Sequence, residues 1–218
     1  MSEAIILNIL VTIGVILISM TLHEVMHGYV AYWLGDDTAH LEGRLTLNPI
    51  KHIDPFLTIL LPVTLAIIGA PIFGGAKPVP FNPHQLKYEE WGVALVAIVG
   101  PLTNLFIAFI VFGIGTVLGY NLTDFSYVDV PEMILTYAVF VNLGFFLFNL
   151  IPLPPLDGSR VLYALAPDFV RRGMEVIEQY GLIVVFAIIF LASSAIGSVM
   201  FVAISFFVQV FAKIFMVG

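Results

Sequence analysis

Residues 23–27 carry the side chains best suited to chemistry. They read His-Glu-Val-Met-His, the pattern H-E-x-x-H. Residues four positions apart on a helix share a face, so His23 and His27 can direct their imidazoles at one metal ion. Glu24 follows His23 and can reach water held by that metal, where a carboxylate serves as general base. The spacing therefore predicts a zinc-dependent hydrolase.

This motif lies inside an apolar stretch, residues 4–34, that is long enough to span a bilayer. Ionisable side chains are costly within a membrane, and by default they mark function there. In a soluble helix, two solvated surface histidines would be an alternative explanation of such a pattern. The apolar setting favours a metal site instead, and it requires that water reach the motif inside the bilayer.

The composition of the whole chain is that of a membrane protein. Of 218 residues, 60% are hydrophobic and 11% are charged, a balance that soluble domains do not have. We therefore expect the lipid bilayer as a partner, and the formal net charge of −7 argues against nucleic acid. Because the chain has no cysteine, any metal must be held by His, Asp or Glu.

Apolar runs predict an all-α polytopic membrane protein, a bundle of about four to six membrane segments. These runs cover residues 4–34, 56–73, 91–119, 133–153 and 180–216. Short connections join them and leave no room for a sizeable water-soluble domain. We predict a single domain over residues 1–218, with its core in 1–165 and one or more further membrane segments in 180–216.

Two segments between the first runs depart from simple spans. Residues 38–48 alternate polar and apolar around Gly43, which predicts a small β-hairpin or edge strand near the metal site. Such a strand could pair with an extended substrate, and a cap over the helix ends is the alternative. Residues 56–73 contain Pro62 and have basic residues on both flanks, which favours a re-entrant or surface-lying hairpin over an ordinary span.

The distribution of positive charge predicts the topology. Of the eight Lys and Arg residues, seven lie in three connections, whereas residues 120–132 have none and are acidic. The positive-inside rule places those three connections in the cytosol and residues 120–132 outside. We expect a multi-pass protein of the cell membrane, with the metal site toward the cytosolic side. The seven residues are Arg44, Lys51, Lys77, Lys87, Arg160, Arg171 and Arg172.

A catalytic zinc takes three protein ligands and keeps one position open for water. The remaining histidines lie in polar connections and are expected to be solvated surface residues: His40, His52 and His84. Asp157 follows an apolar helix and a proline-rich stretch that must unwind the helix end. Pro-Leu-Asp-Gly alone is an ordinary turn. Beside two histidines that need an anionic partner, Asp157 becomes the candidate third ligand.

Three asparagines in apolar segments are further candidates: Asn104, Asn142 and Asn149. A buried amide can donate a hydrogen bond to a developing oxyanion. Hydrogen bonding between helices is the alternative, and it is at least as good an explanation of Asn142.

Taken together, these motifs resemble those of the site-two proteases, a family of intramembrane zinc metalloproteases. The match comprises H-E-V-M-H at 23–27, Gly100-Pro101-x-x-Asn104, and Asn149-x-x-Pro152-x-Pro154-x-x-Asp157-Gly158, in the family's order. The connections look like those of the compact branch that lacks an inserted PDZ domain.

The resemblance implies one zinc ion per chain, held by His23, His27 and Asp157. It further implies that Glu24 activates water and that Asn149 and Asn104 assist at the substrate carbonyl. The implied substrate is a transmembrane or membrane-anchored protein, cut within or near the bilayer.

Three other functions use similar residues. A membrane metal-ion transporter would spread polar positions along a pathway, whereas here they gather at one depth beside a base. A membrane di-iron oxidase would need more histidines than the five present. A catalytically silent protein that binds membrane helices could keep the ligands, but the intact Glu24 speaks against it.

Overall fold

The computed structural model describes residues 3–61, 64–65 and 74–217. Regular structure within these ranges is helical, and none of these residues forms a strand. In the described part of the chain, four helices are long and apolar enough to cross a membrane, which confirms an all-α integral membrane protein. They are Ile5–Trp33, Glu89–Val117, Val130–Asn149 and Ile183–Ile214.

Seven α-helices are named here in chain order: α1 (Glu3–Trp33), α2 (Thr38–Leu41), α3 (Glu89–Val117), α4 (Val130–Asn149), α5 (Asp157–Leu165), α6 (Asp168–Gln179) and α7 (Gly181–Ile214). Two short 3₁₀ turns, Pro49–His52 and Pro83–Gln85, and a π-helical turn, Pro55–Leu60, lie between α2 and α3.

Local signals set the ends of the long helices. Helix α1 ends before Gly35, which adopts a positive φ of 109°, and the N–H of Asp36 returns to the carbonyl of Ala31 at 3.0 Å. Helix α4 begins after Asp129, whose carboxylate accepts a hydrogen bond from the N–H of Glu132 at 2.8 Å.

The central helix of the bundle is α3, which packs against α1, α4 and α5. The main hydrophobic core lies where α3, α4 and the C-terminal half of α7 meet. Its buried members are Ala108, Phe112, Leu122, Val139, Leu143, Val208 and Phe211. Helix α7 has non-helical dihedral angles at Ala192, so its two halves follow different directions. This separates the half of α7 in the core from the half that borders the candidate site.

The β-hairpin predicted over residues 38–48 is wrong. Thr38 begins the helical turn α2, and the carboxylate of Asp36 accepts hydrogen bonds from its backbone N–H and hydroxyl, at 3.0 and 2.5 Å. Gly43 then turns the chain at a positive φ of 63°, and the N–H of Arg44 bonds the carbonyl of Ala39. The alternating pattern arose from a helical turn followed by a loop, and the edge strand expected there for substrate pairing is absent.

The re-entrant segment predicted over residues 56–73 falls largely on residues 62–63 and 66–73, which lie outside the described residues. The flanks of this segment are described. The N–H of Lys77 donates to the carbonyl of His52 at 2.8 Å, and the N–H of Gly75 donates to the carbonyl of Leu57 at 3.1 Å. The two flanks therefore lie side by side.

Candidate metal centre

The structure brings the three predicted metal ligands together. His23 and His27 lie one turn apart on α1, both buried, with their Nε2 atoms 3.0 Å apart. Asp157, the first residue of α5, places Oδ2 at 3.1 Å from Nε2 of His23 and 3.6 Å from Nε2 of His27. The three candidate ligand atoms lie within 4.8 Å of one another.

Hydrogen bonds on the far side of each imidazole fix its tautomer. Nδ1 of His23 lies 2.6 Å from Oδ1 of Asn104, and Nδ1 of His27 lies 2.6 Å from the carbonyl oxygen of Val96. Both partners are acceptors, so each Nδ1 carries the proton and donates it. In a neutral imidazole this leaves a lone pair on Nε2, the arrangement typical of histidines that bind metals.

The donor set at the centre of the site fits a cation. Oδ2 of Asp157 is buried and accepts no hydrogen bond within the described part of the chain. It faces two imidazole lone pairs, so three electron-rich atoms converge with no proton donor between them. Buried polar atoms normally have partners, and an ion bound by all three supplies one here. Nitrogen and oxygen ligands in this number suit zinc.

Asn104 lies behind His23 and does not line the cavity of the site. Its side chain is fully buried: Oδ1 accepts from His23, and Nδ2 donates to Oδ1 of Asn142 at 2.8 Å. Asn142 in turn donates to the hydroxyl of Ser19 at 2.9 Å. Both amide functions of Asn104 are thus engaged in a chain of hydrogen bonds that joins α1, α3 and α4, and in this arrangement neither reaches a substrate carbonyl.

Gly100 allows α3 to approach the two histidines. A Cβ atom at this position would lie 2.7 Å from Cε1 of His23 and even closer to the ring of His27. Any side chain there would push the imidazoles away from Asp157 or separate α3 from α1. The Gly100-Pro101 dipeptide seen in the sequence therefore has a direct steric role at the site.

Glu24 lines the same cavity as the three candidate ligands but is not one of the converging group. Its Oε2 accepts a hydrogen bond from the backbone N–H of Val79 at 2.8 Å. Residues 74–82, which follow the 56–73 segment, therefore lie over the site and hold this carboxylate. Sequence reasoning missed the parts played by Val79 and Val96, because both act through backbone atoms.

Comparison with known proteins identifies the family. A protein of Bacillus subtilis (strain 168), named "Putative zinc metalloprotease YwhC", is 43% identical over 179 residues, which cover 78% of this chain and 75% of that protein. The family profile described as Peptidase family M50 matches residues 123–193. The chain belongs to peptidase family M50.

More distant relatives carry a similar name. Proteins named as zinc metalloprotease Rip2 are 27% identical over 173 residues in Mycolicibacterium smegmatis and 26% over 181 residues in Mycobacterium tuberculosis (strain H37Rv). The matches cover 78% and 83% of this chain, but only 62% and 66% of the two relatives. No solved structure matches the chain.

The remaining predicted residues of this M50 protein are Asn149 and the other three histidines. Asn149 lines the cavity, and its Nδ2 donates to the carbonyl of Phe145 on its own helix at 3.0 Å. His40 and His84 are exposed, as expected. His52 is buried instead, with Nε2 at 2.9 Å from the carbonyl oxygen of Thr46, because the flanks of the 56–73 segment close around it.

The cavity beside the candidate metal ligands of this M50 protein has a volume of about 450 Å³. Residues of α1, α4, the N-terminal half of α7 and the segment 74–81 form its walls, which are mostly apolar. A cavity of this size holds a short length of extended peptide but not an intact helix with its side chains.

The electrostatics of Asp157 suit an anionic ligand. Burial raises the pKa of its carboxyl, but the two neighbouring imidazoles, of His23 and His27, lower it more, and the result is a pKa well below the usual range. The carboxylate therefore stays ionised at neutral pH.

Proposed function

We propose that this chain is a zinc metalloendopeptidase of the site-two protease type, which cleaves transmembrane or membrane-anchored proteins in or near the bilayer. The observation that carries the proposal is the convergence of His23, His27 and Asp157 beside Glu24, which is not one of the converging group, between helices long enough to cross a membrane. The names of the relatives support zinc as the ion, and the single group of converging ligands among the described residues supports one ion per chain.

His23, His27 and Asp157 would hold the zinc ion, which when bound lowers the pKa of water and polarises a carbonyl group. Glu24 is the general base: Val79 N–H fixes one carboxylate oxygen, and the other remains to accept a proton from the attacking water. The same carboxylate then passes the proton to the leaving amine, because the departing nitrogen must gain one.

The two asparagines receive different roles. Asn104 positions His23 by accepting the hydrogen bond that Nδ1–H donates, and is itself held by Asn142. Asn149 is the candidate donor to the substrate carbonyl, because it lies in the cavity wall. To donate there, Asn149 must give up its hydrogen bond to Phe145 or use its second amide proton.

The walls of the cavity support this substrate class. Their lining is mostly apolar and comes largely from helices long enough to span the bilayer, which suits an apolar segment arriving from the membrane. An intact helix hides its carbonyls in hydrogen bonds and is too wide for the cavity, so the segment must first unwind. Substrates with Gly, Pro or Asn near the cut should be favoured, because these residues weaken a helix.

We place the site toward the cytosolic face of the cell membrane. Arg44, Lys77 and Arg160 lie in the connections next to the site, and the positive-inside rule assigns such connections to the cytosol. We also propose that residues 56–73 return to this face as a re-entrant segment. The hydrogen bond between Lys77 and His52 supports this, since it holds the two flanks together.

Purified protein in liposomes, with a co-reconstituted membrane-anchored peptide, tests the function. We expect one zinc ion per chain by mass spectrometry of the metal, and peptide cleavage that a chelator stops and added zinc restores. Glu24→Gln should retain zinc and lose cleavage. Glu42→Gln, at an exposed position, is the matched control and should behave as wild type.

Two results would contradict the assignment. The first is cleavage by Glu24→Gln at most of the wild-type rate, which would remove the base from the mechanism. The second is zinc crossing the liposome membrane without peptide cleavage, which would favour a transporter.

A further inference from the structure

Arg44 is a buried cation without a carboxylate partner. The residue is 6% exposed, and no ion pair within the described residues includes it. A buried charge is costly unless polar groups compensate for it. Here the compensation comes from backbone carbonyls: Nη2 donates to the oxygen of Lys77 at 2.8 Å and to that of Pro78 at 3.3 Å.

The second of these carbonyls connects Arg44 to Glu24. The carbonyl of Pro78 and the N–H of Val79 belong to one peptide group. Its oxygen accepts from Arg44, and its N–H donates to Oε2 of Glu24 at 2.8 Å. Hydrogen bonds in series polarise one another, so a cation at the oxygen strengthens the N–H as a donor. The peptide group transmits the effect of Arg44 to the carboxylate.

The sequence around this peptide group leaves only one donor available. In Lys77-Pro78-Val79-Pro80 both prolines lack an N–H, so Val79 supplies the only backbone donor of residues 78–80. That single N–H is the one directed at Glu24.

Close packing against α1 fixes the connection in space. A Cβ atom at Gly28 would lie 2.5 Å from Cδ2 of Leu45 and 2.9 Å from Cγ1 of Val79. Leu45 adjoins Arg44, so both ends of the connection rest against the same glycine. Gly28 immediately follows the candidate ligand His27. This packing therefore fixes the positions of Leu45 and Val79 relative to the metal site.

We propose that Arg44 is a positioning residue for Glu24. It acts through the Pro78–Val79 peptide group and holds the carboxylate in the orientation that takes the proton from water. This inference rests on the proposed function, in which Glu24 is the general base. The hydrogen-bond connection itself does not, so the two can be tested apart.

Kinetics of three variants test the role in the reaction. Arg44→Met removes the charge and the donors but keeps the apolar stem, and should lower kcat about 10- to 100-fold, as loss of a supporting contact does. KM and zinc content should not change. Arg44→Lys keeps a charge and a donor, and should recover most of the rate. Lys51→Met removes an exposed cation from the chain segment that also carries Arg44, and is the matched control.

Nuclear magnetic resonance tests the connection without any activity. Labelling with ¹³C-carbonyl proline and ¹⁵N-valine selects two amides, because Pro-Val occurs only at 62–63 and 78–79. Val63→Ile assigns the pair. The Val79 amide proton should move upfield in Glu24→Gln and in Arg44→Met, less in Arg44→Lys, and not in Lys51→Met.

The outcomes distinguish a failure of the proposed function from a failure of the role of Arg44. If wild-type protein fails to cleave but the Val79 amide responds as expected, the proposed function fails and the connection stands. If the Val79 amide does not respond in Arg44→Met, the inference is overturned, even where kcat falls. Should Arg44→Met not fold, Arg44→Lys and Glu24→Gln give the same decision, since an unresponsive amide in both overturns it.

Discussion

Replacement of Asn104 by leucine should weaken zinc binding without touching a ligand. Asn104 is fully buried, and its amide is shared between the Nδ1 proton of His23 and Oδ1 of Asn142. Leucine has the same number of side-chain heavy atoms but neither function. His23 would then lose the acceptor that fixes its tautomer and ring orientation, and Asn142 would lose its donor.

The magnitude follows from the groups that are left without partners. Each unsatisfied buried group costs about 1–3 kcal/mol, so the two together should lower the free energy of unfolding by roughly 2–6 kcal/mol. Loss of a hydrogen bond behind a metal-bound histidine typically lowers metal affinity about 10- to 100-fold. That corresponds to about 1.4–2.8 kcal/mol of binding free energy.

Competition with a chromophoric zinc chelator measures the affinity, and thermal unfolding measures the stability. Asn104→Asp keeps an acceptor for His23 and loses the donor to Asn142 and to the carbonyl of Ser19, so it should retain most of the zinc affinity while losing stability. Thr103→Val removes a hydroxyl that bonds only its own helix, to the carbonyl of Val99, and is the control. Wild-type zinc affinity in Asn104→Leu would refute the reasoning, as would an equal loss in Asn104→Asp.

Two further predictions concern packing and topology. Gly100→Ala should destabilise the protein by about 1–3 kcal/mol through overpacking and should lower zinc content, whereas Gly14→Ala, with no atom within 4 Å of the added Cβ, should do neither. Metal analysis and thermal unfolding check both, and full zinc in Gly100→Ala would contradict the steric role. Single cysteines at Lys51 and Lys77 should react with an impermeant maleimide from the same side of the membrane, and labelling from opposite sides would mean that 56–73 crosses it.

The candidate metal ligands and the base could be predicted from the sequence, but the groups that hold them in place could not. The histidine spacing is local, so it predicts a shared face on any helix. Asp157 could be reached by considering the few candidate ligands that the composition leaves. The acceptor behind His27 and the donor to Glu24 are backbone atoms, of Val96 and Val79. Every residue type has a backbone carbonyl, and all but proline have a backbone N–H, so the sequence does not indicate such contacts.

The prediction of four to six membrane segments agreed with the four candidate spans because long apolar runs carry a strong signal. The hairpin over 38–48 failed because its alternation is short and the hydrogen bonds accepted by the Asp36 carboxylate outweighed it. Asp36, two residues before Thr38, is fully buried and also accepts from the N–H of Asn82 at 2.7 Å. That contact crosses 46 positions of the chain, a distance at which local patterns carry no information.

The same residues that support the metal ligands also hold the bundle together. Lipid is as apolar as a helix surface, so membrane helices associate through close packing at small residues and through hydrogen bonds. Gly100 supplies the close approach of α3 to α1, and Asn104 with Asn142 supplies hydrogen bonds among α1, α3 and α4. Gly100 and Asn104 both lie next to His23. Metal binding and helix assembly therefore depend on one set of contacts, and substitutions there should change zinc affinity and stability together.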